Sequence, residues 1–171
     1  SKSSVSGAGR TLSPTTHYTE ANEDICAYFL EGHRHLPEIE QELKALNPSL
    51  TPSITFVSHL VPMTRGILST CYAKLAGRRR LTASALIQAY REFYKHAPFV
   101  KITTQPPHTK HVCGTNFCLI YPTVDSRTES LIVISCLDNL VKGGAGQAVQ
   151  NMNLMFDLQE TTGLGALAIY P

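Results

Sequence analysis

Glu31-Gly32-His33-Arg34-His35-Leu36-Pro37-Glu38-Ile39-Glu40-Gln41-Glu42 sets two histidines and an arginine just ahead of a proline and a run of alternating glutamates. An imidazole changes charge near neutral pH and can take up and return a proton there. A carboxylate within reach can orient its ring, and a neighbouring guanidinium can hold an anion. His35, with Glu38 as its orienting carboxylate, is the first choice for a general acid/base. His33 is the second, and Arg34 is a candidate anion ligand. Surface or capping roles account for the same residues about equally well, so the segment alone does not separate chemistry from scaffold.

Other stretches carry chemistry-bearing residues. Ser6-Gly7-Ala8-Gly9-Arg10 suits a mobile loop that closes its backbone on an anion, although a plain linker has the same composition. Arg65 stands in Pro62-Met63-Thr64-Arg65-Gly66, a break between two strand-like runs, where a cation can face a ligand. Gly146, Gln147 and Asn151 open a helix whose small first residue permits close approach of a flat ligand. His108, His111 and Cys113 place three metal-type ligands within six residues, but no second ligand pair stands at finger-like spacing, and we assign no metal to them. Arg78-Arg79-Arg80 reads as a solvated turn.

The elements that must position these groups follow from periodicity. Pro37 fits a first helical turn, because it lacks only an N–H that would be unpaired there. Ile39, Leu43 and Leu46 give that helix one face to bury, and Asn47-Pro48 ends it. Thr82 to His96 is the clearest helix, striped by Ala85, Leu86, Ala89, Tyr90, Phe93 and Tyr94. In a last helix, Ala145, Ala148, Val149, Met152, Met155 and Phe156 mark the face to be buried, with the amides Gln147, Gln150, Asn151 and Asn153 on its back. Residues 1 to 16 read as flexible, and Thr19 to Asn22 as a short helical turn. Strands are expected over Ile25 to Leu30, Ser53 to Val61, Ile67 to Leu75, Phe99 to Ile102, Val112 to Cys113, Asn116 to Val124 and Ser130 to Leu140. This mixture predicts an α+β fold over residues 1–171, a single domain with a mixed, largely antiparallel sheet and helices packed on one face, rather than a doubly wound sheet.

A formal net charge of +2 is too small to argue for nucleic acid or an anionic membrane. No apolar stretch approaches the ~20 residues of a membrane-spanning helix, and no signal peptide opens the chain. Five cysteines without paired spacing read as free thiols in a reducing compartment. The chain opens at Ser1 without an initiator methionine, which leads us to expect a piece of something longer.

Taken together, Ser6-Gly7-Ala8-Gly9-Arg10, His33-Arg34-His35-Leu36-Pro37-Glu38-Ile39-Glu40-Gln41-Glu42 and Gly146-Gln147-Ala148-Val149-Gln150-Asn151-Met152-Asn153 closely resemble, in order and separation, the C-terminal half of the N-acetyl-gamma-glutamyl-phosphate reductases. Leu60-Val61-Pro62-Met63-Thr64-Arg65-Gly66, Gly114-Thr115-Asn116 and the closing Gly163-Leu164 to Tyr170-Pro171 fit the same pattern. The resemblance implies a glyceraldehyde-phosphate dehydrogenase-like C-terminal domain for substrate binding and dimerisation, following an N-terminal NADP-binding Rossmann domain that this chain lacks. It implies an NADPH-dependent, cytoplasmic (or, in a plant, plastid) enzyme of arginine biosynthesis that reduces N-acetyl-5-glutamyl phosphate to the semialdehyde through a cysteine thioester and forms a homo-oligomer, a dimer or tetramer, through its sheet. By the resemblance, His35, His33 and Glu38 are catalytic. Ser6, Gly7, Arg10, Arg34 and Arg65 bind substrate, and Gly146, Gln147 and Asn151 approach the nicotinamide. The family's nucleophile lies in an Asn-Pro-Gly-Cys-Tyr segment with no counterpart here, and the Gly-x-Gly-x-x-Gly fingerprint is also missing, so the isolated chain is expected to be inactive. A related aminoadipyl or aspartyl substrate, a carrier-linked one, and a non-catalytic oligomerisation or regulatory module are the alternatives.

Overall fold

In the computed structural model, which describes residues 1–49, 51, 53–75 and 81–170, seven strands form one sheet in the order β2-β3-β1-β4-β7-β6-β5. The strands are β1 (Lys2–Ser4), β2 (Cys26–Tyr28), β3 (Ser58–Val61), β4 (Ile67–Lys74), β5 (Val100–Ile102), β6 (Cys118–Asp125) and β7 (Ser130–Leu137). Only the β1–β3 and β5–β6 pairs are parallel. The helices are α1 (Tyr18–Ala21), α2 (Leu36–Leu46), α3 (Ala83–Phe93) and α4 (Gly146–Met155). The α+β architecture with a mixed, largely antiparallel sheet is therefore the one the sequence predicts. Arg78-Arg79-Arg80 lies outside the described residues.

Side chains alternate across a strand, so the registers sort the sheet into two faces. Ser3 opposes both Leu60 and Ile67, and the hydroxyls of Ser1 and Ser69 meet at 3.1 Å. Cys71, Ile120, Leu137, Ser58 and Tyr28 share this face by register. Here α3 lies against β5 and β6, burial pushes the Tyr90 hydroxyl of α3 up, with Tyr94 and Cys71 adding to the rise, and Gly143, in the turn before α4, stands against the Leu137 side chain. Thr82 caps α3 by accepting from the Ala85 N–H at 3.2 Å. The other face presents Leu68, Thr70, Tyr72, Leu119, Tyr121, Ile132 and Ile134. It is partly covered by the short helix Thr109–Val112, where the Cys136 thiol meets the Pro107 carbonyl.

Several expectations change. Lys2–Ser4, expected to be loose chain, is an interior strand; its serines carry no alternating apolar signal, yet it is paired on both sides. The strand expected over Ser53 to Val61 forms only at Ser58–Val61, and Val112 closes a helical turn instead of a strand, leaving Cys113 as its cap. On α2, Ile39 and Leu43 are half-covered but Leu46 is exposed. The polarity of α4 is reversed: Gln150 and Asn153 are buried, while Met155 and Phe156 are 80% and 71% exposed. The reason is the chain that follows the helix. Gln150 Nε2 donates to Glu160 at 2.6 Å, and Asn153 Nδ2 donates to the carbonyls of Glu160 and Thr162 at 3.1 and 3.0 Å. The amides thus find partners inside, and the apolar stripe is left outside.

Candidate active site

His33 leaves the sheet just beyond β2, and its ring is walled by the edges of Tyr28, Phe29 and Phe56 at centroid distances of 5.8, 5.7 and 5.2 Å. Its Nδ1 accepts the backbone N–H of His35 at 3.2 Å, so in the neutral ring the proton sits on Nε2. Burial, with the adjacent His35 and Arg34, holds His33 below the ordinary imidazole value. His35 is the residue ahead of α2. Its ring lies 4.9 Å from that of His33, it is exposed, and its side chain caps nothing. Among the described residues Glu38 makes no hydrogen bond to either ring. The expected Glu38–His35 orientation is replaced by aromatic walls and a backbone donor acting on His33. Proximity in sequence did not reveal this.

Arg65 and Ser6 follow the strand ends at the other end of β3. Tyr28 pairs with Ser58 at the start of that strand and Ser4 pairs with Val61 at its end, so the segments carrying the two groups leave the sheet at opposite ends of a strand about 10 Å long. Tyr28, Ser58 and Ser3 lie on one face of the sheet by register, whereas the Ser6 hydroxyl lies 3.4 Å from that of Ser4, the next strand residue, and Gly66 stands against Thr109. Arg65 pairs with the buried Asp138 at 3.4 Å. Asn139 donates through Nδ2 to the Ser6 hydroxyl at 2.9 Å and accepts the Gly66 N–H at 2.8 Å. Gly66 has φ of +115° with Thr109 close behind it, a site only glycine fills without strain. Arg10 and Arg34 are exposed and join no ion pair or hydrogen bond among the described residues.

From the same hub the chain turns into α4. The second Asp138 oxygen accepts the Leu140 and Val141 N–H groups at 2.8 and 3.2 Å. Gly146 begins the helix pressed against the Asn116 side chain and Val141. Asn116 Nδ2 donates to Gln150 at 2.9 Å, and Lys142 Nζ reaches the same oxygen at 2.7 Å. Burial lowers the Lys142 ammonium, with Cys118 and Glu160 opposing. Gln147 donates to Asn151 at 2.8 Å on the outer side of the helix. The fold therefore gathers Ser6, Gly7 and Arg65 around Asp138 and Asn139, sets Gly146 against Asn116 and Val141, and leaves Gln147 and Asn151 unattached to them. Asp138 and Asn139 did not stand out in the sequence; the available signal was an Asp-Asn pair closing an apolar strand, where such residues bind nearby backbone.

The five cysteines are free thiols in different settings, with Cys113 half-buried. Burial pushes the Cys118 thiol up, with Lys142 opposing, and pushes Cys136 up to about 11, with Cys118 adding to the rise; Cys26 and Cys71 are exposed on strands. His108 and His111 stack at 4.9 Å, but among the described residues no three His, Cys, Asp or Glu side chains converge as metal ligands. Among the same residues no helix is long and apolar enough to cross a membrane.

Residues 1–139 match the family described as semialdehyde dehydrogenase, dimerisation domain. The chain belongs to that family. It is similar to the N-acetyl-gamma-glutamyl-phosphate reductase of Dehalococcoides mccartyi, at 56% identity over 99% of this chain and 49% of that protein. It is also similar to the same-named reductase of Thermoanaerobacter sp. (strain X514), at 52% identity over 100% of this chain and 49% of that one. The chain spans about half the length of the curated relatives it matches. Its fold is that of aspartate semialdehyde dehydrogenase II from Vibrio cholerae, with a TM-score of 0.66 at 15% identity over 90% of this chain and 52% of that chain. A probable aspartate-semialdehyde dehydrogenase from Pseudomonas aeruginosa gives a TM-score of 0.65 at 16% identity, with the same coverage.

Proposed function

We propose that this semialdehyde dehydrogenase-family chain is the substrate-binding and dimerisation half of an NADPH-dependent, cytoplasmic reductase that converts N-acetyl-5-glutamyl phosphate to the semialdehyde and phosphate. The observation that carries the reading is His33: a neutral imidazole walled by aromatic rings, with Nδ1 occupied and Nε2 left to handle a proton. The Ser6 and Arg65 donors stand beyond the other end of β3.

The overall change puts one hydride on the acyl carbon in place of phosphate, and the one proton consumed leaves with the phosphate. A cysteine of the other half forms the thioester. Bound nicotinamide supplies the hydride. This chain supplies the rest. His33 Nε2 gives a proton to the developing alkoxide and takes one back, a role best filled by a group that titrates near working pH. Arg65 and the Ser6 hydroxyl hold the substrate's anionic groups, a guanidinium being suited to phosphate and carboxylate alike. Gln147 and Asn151, an exposed amide pair, fit a carboxamide partner, and the bare Met155 and Phe156 stripe fits a helix covered by the nucleotide-binding half. The open sheet face around Tyr72 and Ile134 is the seat of a second copy.

Mixing the chain with a separately produced nucleotide-binding half and following NADPH oxidation with the acyl phosphate tests the reading. Activity only in the mixture is expected. An inactive mixture, or activity from the chain alone, overturns it.

A further inference from the structure

The last strand ends in two adjacent buried residues whose side chains reach different parts of the site. Asp138 is wholly buried and Asn139 nearly so. One Asp138 oxygen accepts the Gly114 N–H at 2.7 Å and Arg65 at 3.4 Å, while the other takes the first two N–H groups of the turn into α4. Arg65 is the only full positive charge among these partners, and one of its donors is enough for the pair. A guanidinium has five N–H donors, so the remainder stay available on a side chain that is 38% exposed.

The Asn139 amide is more informative. Its oxygen is committed to the Gly66 N–H, which fixes the orientation of the group. Its nitrogen must then face Ser6, and because an amide NH2 only donates, the Ser6 oxygen must accept. The buried Ser4 hydroxyl stands 3.4 Å from the same oxygen and has no other hydrogen-bond partner among the described residues, so its hydrogen is satisfied by donating to Ser6. With two donors on its oxygen, Ser6 keeps its own hydrogen free as a donor. Arg65 and Ser6 are thus left in the same state, with donors to spare, and the buried side chains beneath them impose it.

We infer that Asp138 and Asn139 are positioning residues that preset Arg65 and Ser6 as a donor pair for the oxyanion of an acyl-phosphate substrate. The inference rests on the functional reading above. It differs from a purely structural role in one respect. Asn139→Asp can keep both hydrogen bonds, accepting from Gly66 N–H and from Ser6 O–H, but only by turning the Ser6 hydrogen inward. A scaffold would tolerate the exchange; a donor preset would be inverted.

The experiment is steady-state kinetics on the chain assembled with its nucleotide-binding half, for Ser6→Ala, Asn139→Asp and the double variant. We expect each single change to raise KM for the acyl phosphate about tenfold with kcat within about twofold, the signature of lost uniform binding. The double variant should be no worse than Ser6→Ala alone, because the preset acts through that hydroxyl. Ser6→Ala with unchanged KM overturns the inference, and so does an additive double variant. If Asn139→Asp does not fold, Ser6→Ala still decides, since its side chain is only half-buried. A wild-type assembly that oxidises no NADPH sinks the functional reading itself and the inference with it, an outcome distinct from an active wild type with additive variants.

Discussion

The two ends of β3 are built differently. At the Val61 end, Arg65, Ser6 and the start of α4 are tied by buried hydrogen bonds to Asp138 and Asn139. At the Ser58 end, His33 and His35 stand against aromatic edges with one backbone bond between them, half-covered or exposed. The first end is complete within this chain. The second has its chemistry in place but only part of its enclosure, as expected of a group that works against a surface contributed from elsewhere.

Breaking each end should therefore give opposite profiles. The largest effect is expected from His33→Gln. It should lower kcat of the assembled enzyme by about 10²–10⁴-fold, the usual contribution of an acid/base group. The same change should alter the stability of the chain by less than about 0.5 kcal/mol in a urea titration, because little packing is lost. Gly146→Ala is the converse. Its new methyl would meet the Asn116 side-chain oxygen, with Val141 Cγ1 and O at 2.7 and 2.8 Å. A loss of about 2–3 kcal/mol by urea denaturation is expected from overpacking.

Thiol chemistry sharpens the contrast further. Cys26 lies exposed on β2 and should be alkylated quickly, whereas Cys136, buried and pushed up to about 11, should label only on unfolding, as read by mass spectrometry at pH 8. The smallest effect concerns pH. Because the folded His33 sits below its ordinary value, the unfolded chain binds the proton first as pH falls. Stability should decline as pH drops from about 6.5 through the folded value, and His33→Gln should flatten that slope. An unchanged slope would mean that the aromatic walls do not desolvate the ring.

The sheet was legible where strands are long. β4, β6 and β7 carry β-branched and apolar residues over eight positions each, enough for a periodic signal, and α3 announces itself by stripe and cap. β1 was not legible, because three residues of Lys and Ser carry no pattern and owe their state to neighbours on both sides. At the candidate site, residue types singled out segments. The partners did not follow from them: Glu38 is near His35 in sequence yet does not touch it, while Asn139 lies 133 residues from Ser6 and does. Hydrogen bonds over such separations exist only once the sheet has formed. The amphipathic reading of α4 failed for the same reason, since the partners of Gln150 and Asn153 lie in the tail beyond the helix.

That reversed helix also bears on how the polypeptide must be handled. Made without a companion, it would have a well-knit interior and a greasy exterior ridge at Met155 and Phe156, and would cling to resins, chaperones and itself. Lysines at those two positions would make it tractable in dilute buffer at the expense of the union it is shaped for.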